Sequence, residues 1–285
     1  SRLDRIYWLT NYNEITGQDL LNRWVALFAF YFLPRFLTLV VIFQLGNGLS
    51  KRTKFVLEEE ANEAKSISKM ASELNIASAI QSACLPSEFP DSSRCELFAM
   101  MDPAKEVGGD FYDFFKIDKD HCGLVIGDVS GKGVPASLFM MKTQAVVKAL
   151  TTSIKNDPAD ILEKANAALC EGNEMNMFVT CWLGILDLNK GELNFASAGH
   201  NPPVLKKNGR YDYLKGRNGL VLGGYENAKY FNQTVKLEKG DKLLLYTDGV
   251  TEAHNLEEQL YGEPRLLKFL TETDPSPVDG IVKIR

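Results

Sequence analysis

Read for the spacing of apolar residues, the chain falls into three unlike stretches. Trp24 to Leu45, W-V-A-L-F-A-F-Y-F-L-P-R-F-L-T-L-V-V-I-F-Q-L, is apolar on every side of a helix. It covers the roughly 20 residues needed to cross a bilayer. Pro34-Arg35 interrupts it. A central Arg costs about 2.5–3.5 kcal/mol on insertion, which the neighbouring Phe, Leu, Val and Ile offset at about 0.3–0.6 each, and proline is tolerated in such helices. The pattern predicts a transmembrane helix over 24–45, with a buried helical hairpin broken at Pro34 as the alternative. The run is too long for a secretory signal and lacks a small-residue cleavage site. Lys51, Arg52 and Lys54 follow directly, placing the downstream chain in the cytoplasm by the positive-inside rule. Residues 1–23 are mixed in polarity and left undetermined; the chain begins at Ser1 rather than Met, as a fragment or processed form would.

The second stretch, residues 50–88, is polar and rich in Ala, Glu, Lys and Ser, with neither Pro nor Gly between Phe55 and Cys84, a composition that favours helix. Ile67, Met70, Ala71, Leu74, Ala77, Ile80 and Cys84 recur at three- and four-residue steps, giving one apolar stripe. Such a signalling linker either pairs with a second copy, as a homodimeric parallel coiled coil through helix 55–85, or packs on its own domain. Pro86 and Pro90 end it, so the domain boundary is expected near 86 to 94.

Residues 89–285 form the third stretch. Cys95 to Met101, Asp110 to Ile117, Cys122 to Gly127, Phe178 to Leu188, Leu193 to Ala198, Val204 to Lys206, Tyr230 to Leu237 and Leu243 to Tyr246 read as strands. Helices are predicted after Gly133, over Pro158 to Cys170, over Pro264 to Leu270 and from Pro277. This order indicates α+β layering: antiparallel sheets packed face to face with helices outside.

Chemistry concentrates where strands meet glycine. Asp110 follows Gly108-Gly109 and precedes an aromatic run; Asp128 ends Gly123-Leu-Val-Ile-Gly127; Asp248-Gly249 follows Lys242-Leu-Leu-Leu-Tyr246. Each alone reads as a turn. A polar turn, Asp118 to His121, folds the first two strands into a hairpin that brings Asp110 and Asp128 to one end. Three such carboxylates together, with glycine clearance, suit a hard divalent cation bound by oxygen, Mg²⁺ or Mn²⁺ rather than zinc.

The formal net charge of −5 offers no basic surface for nucleic acid. The five cysteines form no C-x-x-C pair, so neither a zinc knuckle nor a disulfide framework is indicated, and a reducing compartment is the simplest inference. The three histidines have no metal-ligand spacing.

Four motifs, G-G-D-F-Y-D (108–113), G-D-V-S-G-K-G (127–133), S-A-G-H-N-P-P (197–203) and Y-T-D-G-V-T-E (246–252), occur in an order that resembles the metal-dependent (type 2C, PPM) protein phosphatases. Together with A-I-Q-S-A-C-L-P-S-E-F-P (79–90), they are similar to the bacterial sporulation-protein-E and sigma-factor-regulator branch. The resemblance spans roughly 75–285. It implies an α-β-β-α sandwich, two Mn²⁺ or Mg²⁺ ions, and hydrolysis of phosphoserine or phosphothreonine by attack of a metal-bound water. The substrate it implies is a phosphorylated anti-sigma-factor antagonist. It matches Asp128 to an aspartate bridging both metals, Val129 to a carbonyl ligand, Asp248 to a ligand of the other metal and Asp110 to the acidic support of the first. Ser130 is expected to be structural. Lys132 is either a phosphate-binding point charge or an exposed loop lysine; His200 either orients a strand or serves as an acid. The resemblance also leads to a further aspartate in a late strand, which this sequence does not contain before Arg285; Asp279, at a helix start, is not its substitute. A catalytically silent relay with the same fold is the alternative function, against which the three intact aspartates weigh.

Overall fold

The computed structural model describes residues 17–86, 94–103, 105–153 and 157–279. Its chain divides into two compact units, Ser1–Ala71 and Ser72–Arg285.

The first helices are α1 (Gly17–Leu27) and α2 (Leu33–Cys84), joined by a π turn at Phe28–Phe32. Proline at 34 lacks an amide hydrogen and crowds the carbonyl one turn back. The π turn absorbs that misfit: the Leu33 N–H reaches back to the Phe28 carbonyl. The helix therefore passes Pro34 without the break a hairpin would need. Among the described residues this rod, Gly17–Cys84, is the one helix long and apolar enough to cross a membrane. Trp24, Phe30, Phe36 and Phe43 on it are exposed.

The second unit takes in the last turns of α2. Gln81 is buried and holds Gly108 by two hydrogen bonds, and Leu85 packs on the core. The division at Ala71–Ser72 thus precedes the expected 86–94, because the prolines mark where helix ends rather than where packing begins.

Two sheets follow. One runs in the order β1 (Phe111–Lys116), β2 (His121–Val129), β3 (Val179–Asp187), β4 (Glu192–Ala198), β7 (Asn218–Gly219), with β8 (Gln233–Lys236) also on β4. The other is β6 (Arg210–Tyr213), β5 (Val204–Lys207), β9 (Lys242–Leu244). Pairing is antiparallel except between β4 and β7.

Alternation along the strands builds three apolar layers. Phe111, Val125, Leu183 and Ala196 face α3 (Val134–Ser153) and α4 (Pro158–Cys170), where Met140, Ile161 and Leu169 meet them. Ile126, Trp182, Leu193 and Phe195 fill the space between the sheets with Leu214 and Leu243. Val204 and Tyr246 pack against Leu266 and Leu270 of α6 (Gly262–Thr273). The result is the α-β-β-α sandwich.

Two expectations shift. Residues 95–101 carry no strand, only an isolated bridge at Cys95, and pass at mostly half burial. Tyr230 to Leu237 contracts to Gln233–Lys236, where β4 supplies a partner. β6 was not predicted, although Asn208-Gly209 closes its hairpin with both residues at positive φ (50° and 78°), a type I′ signature.

Candidate metal and phosphate site

Register sets the site. Phe111 lies opposite Gly127, so the next positions outward, Asp110 and Asp128, end side by side. Asp128 in turn lies opposite Thr180. Because Phe111 and Val129 point into the helix-side core, the neighbouring Asp110 and Asp128 project to the inter-sheet face at its rim. The turn that closes this hairpin is held by Asp118, whose Oδ1 accepts from the Asp120 and His121 amides, both at 2.9 Å. Gly109 is required by contact: a Cβ there would stand 2.9 Å from the Val129 carbonyl oxygen.

Asp248 arrives from the other sheet. It opens a short helix, α5 (Asp248–Thr251), just past β9. The preceding Thr247 donates its hydroxyl to Asp110 Oδ2 at 2.6 Å, joining the two sheets at the site. Glu252 closes α5, its N–H donating to the Asp248 carbonyl at 2.7 Å. The carboxylates feel one another strongly. Burial, a hydrogen bond with Asp110, and the charges of Asp110, Asp248 and Glu252 hold the Asp128 carboxyl well above the usual carboxylate range. Asp248 is also raised, by burial and by Glu252 and Asp110, opposed by the Gly249 amide and Lys132.

All three predicted aspartates are therefore brought together, with the Val129 carbonyl beside them. Lys132 lies on the loop after β2, between Gly131 and Gly133 at positive φ (89° and 80°), close enough to favour the charged form of Asp248. Ser130 is structural: its N–H donates to the Phe178 carbonyl at 2.8 Å and its Oγ accepts from the Phe178 N–H at 3.0 Å. His200 lies behind the site, 3% exposed. Its Nδ1 is 2.9 Å from Thr180 Oγ1, and that hydroxyl is 3.5 Å from the Asp128 carbonyl. Burial pushes its pKa down to about 4, so it is neutral at pH 7 and braces the strand. Asp279 is occupied with Ser276 at 2.8 Å, as a helix-start residue.

Sequence reasoning passed over Glu252, Thr247 and Thr180. Thr247 and Glu252 stand within a motif already noted, but only the folded chain places them against Asp110 and Asp248. Thr180 carried no signal of its own.

Among the described residues no group of three His, Cys, Asp or Glu side chains has the spacing of a formed metal shell. The donor chemistry nevertheless fits a hard cation. Every donor is oxygen: Asp110 and Asp128 share a hydrogen bond, the charges of Asp248 and Glu252 act on Asp128, and Lys132 opposes the upward shift at Asp248. Divalent charge is what relieves such a cluster.

Comparison with known proteins decides the family. The model for stage II sporulation protein E (SpoIIE) matches residues 118–284. The chain belongs to the SpoIIE family. Phosphoserine phosphatase RsbU of Bacillus subtilis is 32% identical over 243 residues, covering 84% of this chain and 69% of RsbU. Protein IcfG of Synechocystis is 32% identical over 257 residues, covering 80% of this chain, which spans only 40% of IcfG. Among solved structures, the SiaA-PP2C domain of Pseudomonas aeruginosa shares the fold, with TM-score 0.66 at 24% identity over 77% of this chain and 89% of that domain. For this SpoIIE-family chain the matched segment begins after Asp110, so that residue's place rests on the hairpin register and on its hydrogen bond from Thr247.

Proposed function

We propose that this chain is a metal-dependent protein phosphatase acting on phosphoserine or phosphothreonine of a partner protein, a phosphorylated anti-sigma-factor antagonist. The observation that carries the reading is that the hairpin register sets Asp110 beside Asp128 while Thr247, next to Asp248 on the second sheet's side, bonds to Asp110. The 32% identity with a protein named phosphoserine phosphatase supports it.

Asp128, Asp248 and the Val129 carbonyl would hold two Mn²⁺ or Mg²⁺ ions, with Asp110 supporting the first. Bound there, the cations supply a water nucleophile at neutral pH and neutralise charge on the phosphoryl oxygens. Thr247 fixes the rotamer of Asp110 by its 2.6 Å hydrogen bond. Gly109 keeps the Val129 carbonyl clear of side-chain atoms. Lys132, on a short loop between two left-handed glycines, meets the substrate phosphate as a point charge.

The N-terminal rod anchors the protein in a membrane through residues 24–45. Ile67, Met70 and Ile80 of the apolar stripe, all exposed on a single chain, form the seam of a homodimer.

The test is phosphate release from a phosphorylated anti-sigma-factor antagonist, with Mn²⁺, Mg²⁺ or EDTA. Release that needs the cation and disappears in Asp128→Asn is expected. A folded protein that binds the phosphorylated partner yet releases nothing with either cation would establish the silent relay instead.

A further inference from the structure

A groove of about 500 Å³ lies on the outer face of the helix layer, and the proposed metal chemistry does not use it. One wall is the start of α3, with Val134, Leu138 and Phe139; the other is the segment between α4 and β3, with Met175 and Met177. Val134, Leu138 and Met175 are 42%, 62% and 72% exposed, so the apolar surface is open to solvent. Lys142 and Glu174 bring one charge of each sign, and the Lys142 ammonium is already held by the Glu171 carbonyl at 3.3 Å. The groove therefore selects by apolar contact rather than by charge. Both walls run into the metal site. Val134 stands two residues after Lys132, at most about 7 Å along the backbone. On the other wall Phe178, next after Met177, pairs through its carbonyl and N–H with Ser130, two residues after Asp128.

We propose that this groove docks the phosphorylated partner protein, taking a large apolar side chain that lies within a few residues of its phosphoserine. The inference rests on the phosphatase reading and says how that site chooses its substrate. A protein whose phosphate meets Lys132 brings its neighbouring residues over Val134, because so short a span separates the two. Those residues either cover Leu138 and Met175 or leave them in water, and covering them is favourable. An open apolar patch beside a polar site is the usual mark of such an interaction surface. Methionine on one wall adapts to side chains of differing shape. The phosphate contact is the same for every phosphoserine, so discrimination among partners falls to the groove. A second copy of this chain is the weaker occupant, since no phosphate directs it there.

The test uses the full chain in lipid nanodiscs and two labelled phosphoserine peptides, one with leucines flanking the phosphoserine and one with glutamines in their place. Fluorescence anisotropy in EDTA gives affinity without turnover, and phosphate release with Mn²⁺ gives kcat/KM. The leucine peptide should bind at least tenfold tighter and be hydrolysed with at least tenfold higher kcat/KM. Leu138→Ser and Met175→Ser should each remove most of that preference, while Leu138→Met keeps it, with folding verified by circular dichroism. Equal binding and equal hydrolysis of the two peptides overturn the docking and leave the phosphatase reading intact. No hydrolysis of either, with a leucine preference that follows Leu138, overturns the phosphatase reading and leaves the docking intact. A preference that persists in both serine variants overturns the proposal. So does self-association that blocks the peptides and is lost in Leu138→Ser, which would give the groove to a second copy.

Discussion

The amide of Gln81 offers a sharp test of how the last turns of α2 are built into the globular unit. The side chain is 2% exposed. Its Nε2 donates to the Gly108 carbonyl at 2.7 Å and its Oε1 accepts the Gly108 N–H at 3.0 Å, so it pairs with that peptide as a neighbouring strand would. Gly108 stands two positions before Asp110. Methionine has similar length and no comparable hydrogen-bonding groups, so Gln81→Met strands one backbone donor and one acceptor. Each unsatisfied buried group costs about 1–3 kcal/mol. Because Gly108 is only half-buried and water can recover part of the loss, we expect about 2–4 kcal/mol in total. For a unit of this size, each kcal/mol lowers Tm by roughly 2–4 °C, giving a drop of roughly 4–16 °C. Urea unfolding of wild type and variant, with hydrogen exchange at Gly108, measures both the cost and its location. Gln81→Glu provides a second reading. It keeps an acceptor for the amide but sets a carboxylate against the carbonyl, and should recover stability as the pH falls and the carboxyl protonates. If Gln81→Met unfolds within about 0.5 kcal/mol of wild type, the clamp contributes nothing and the packing argument is wrong.

Other outcomes follow from the same contacts. In EDTA, the raised pKa of Asp128 means its charged form is disfavoured in the fold, so stability should decline as pH rises from the ordinary carboxylate range through neutrality. Asp128→Asn should flatten that decline and raise the Tm of the metal-free protein while abolishing phosphate release; a lower Tm would contradict the clustering. Gly109→Ala drives a Cβ to 2.9 Å from the Val129 carbonyl, contact with backbone that cannot swing aside. It should cost about 1–3 kcal/mol in denaturant unfolding and reduce phosphate release beyond what the lost stability explains. Asp274, at the end of α6, binds Lys206, Lys242 and Tyr211 at 2.6, 2.8 and 2.9 Å, which holds its carboxyl well below the usual range. That contribution is present above about pH 4 and lost as the pH falls further. Asp274→Asn should therefore lower Tm most at pH 7 and progressively less as the pH falls below 4; a difference that did not shrink with falling pH would show that charge is not the cause.

Much of this protein is written in local pattern. The apolar rod, the helix over Pro158 to Cys170, the β1–β2 hairpin and the three aspartates at strand ends follow from periodicity, capping and glycine placement, which act over a few residues. Strand edges did not. Cys95 to Met101 has the composition of a strand but finds no partner, and Tyr230 to Leu237 keeps only the part that lies along β4, because pairing depends on a neighbour distant in sequence. The same reason hid half the site. Asp110 and Asp128 are neighbours by hairpin register, which the sequence by itself determined. Thr247 touching Asp110, and Glu252 adding its charge to Asp128, required the second sheet to close over the first. Local sequence determined which residues could carry charge at a strand end; only the stacking of the sheets decided which of them meet.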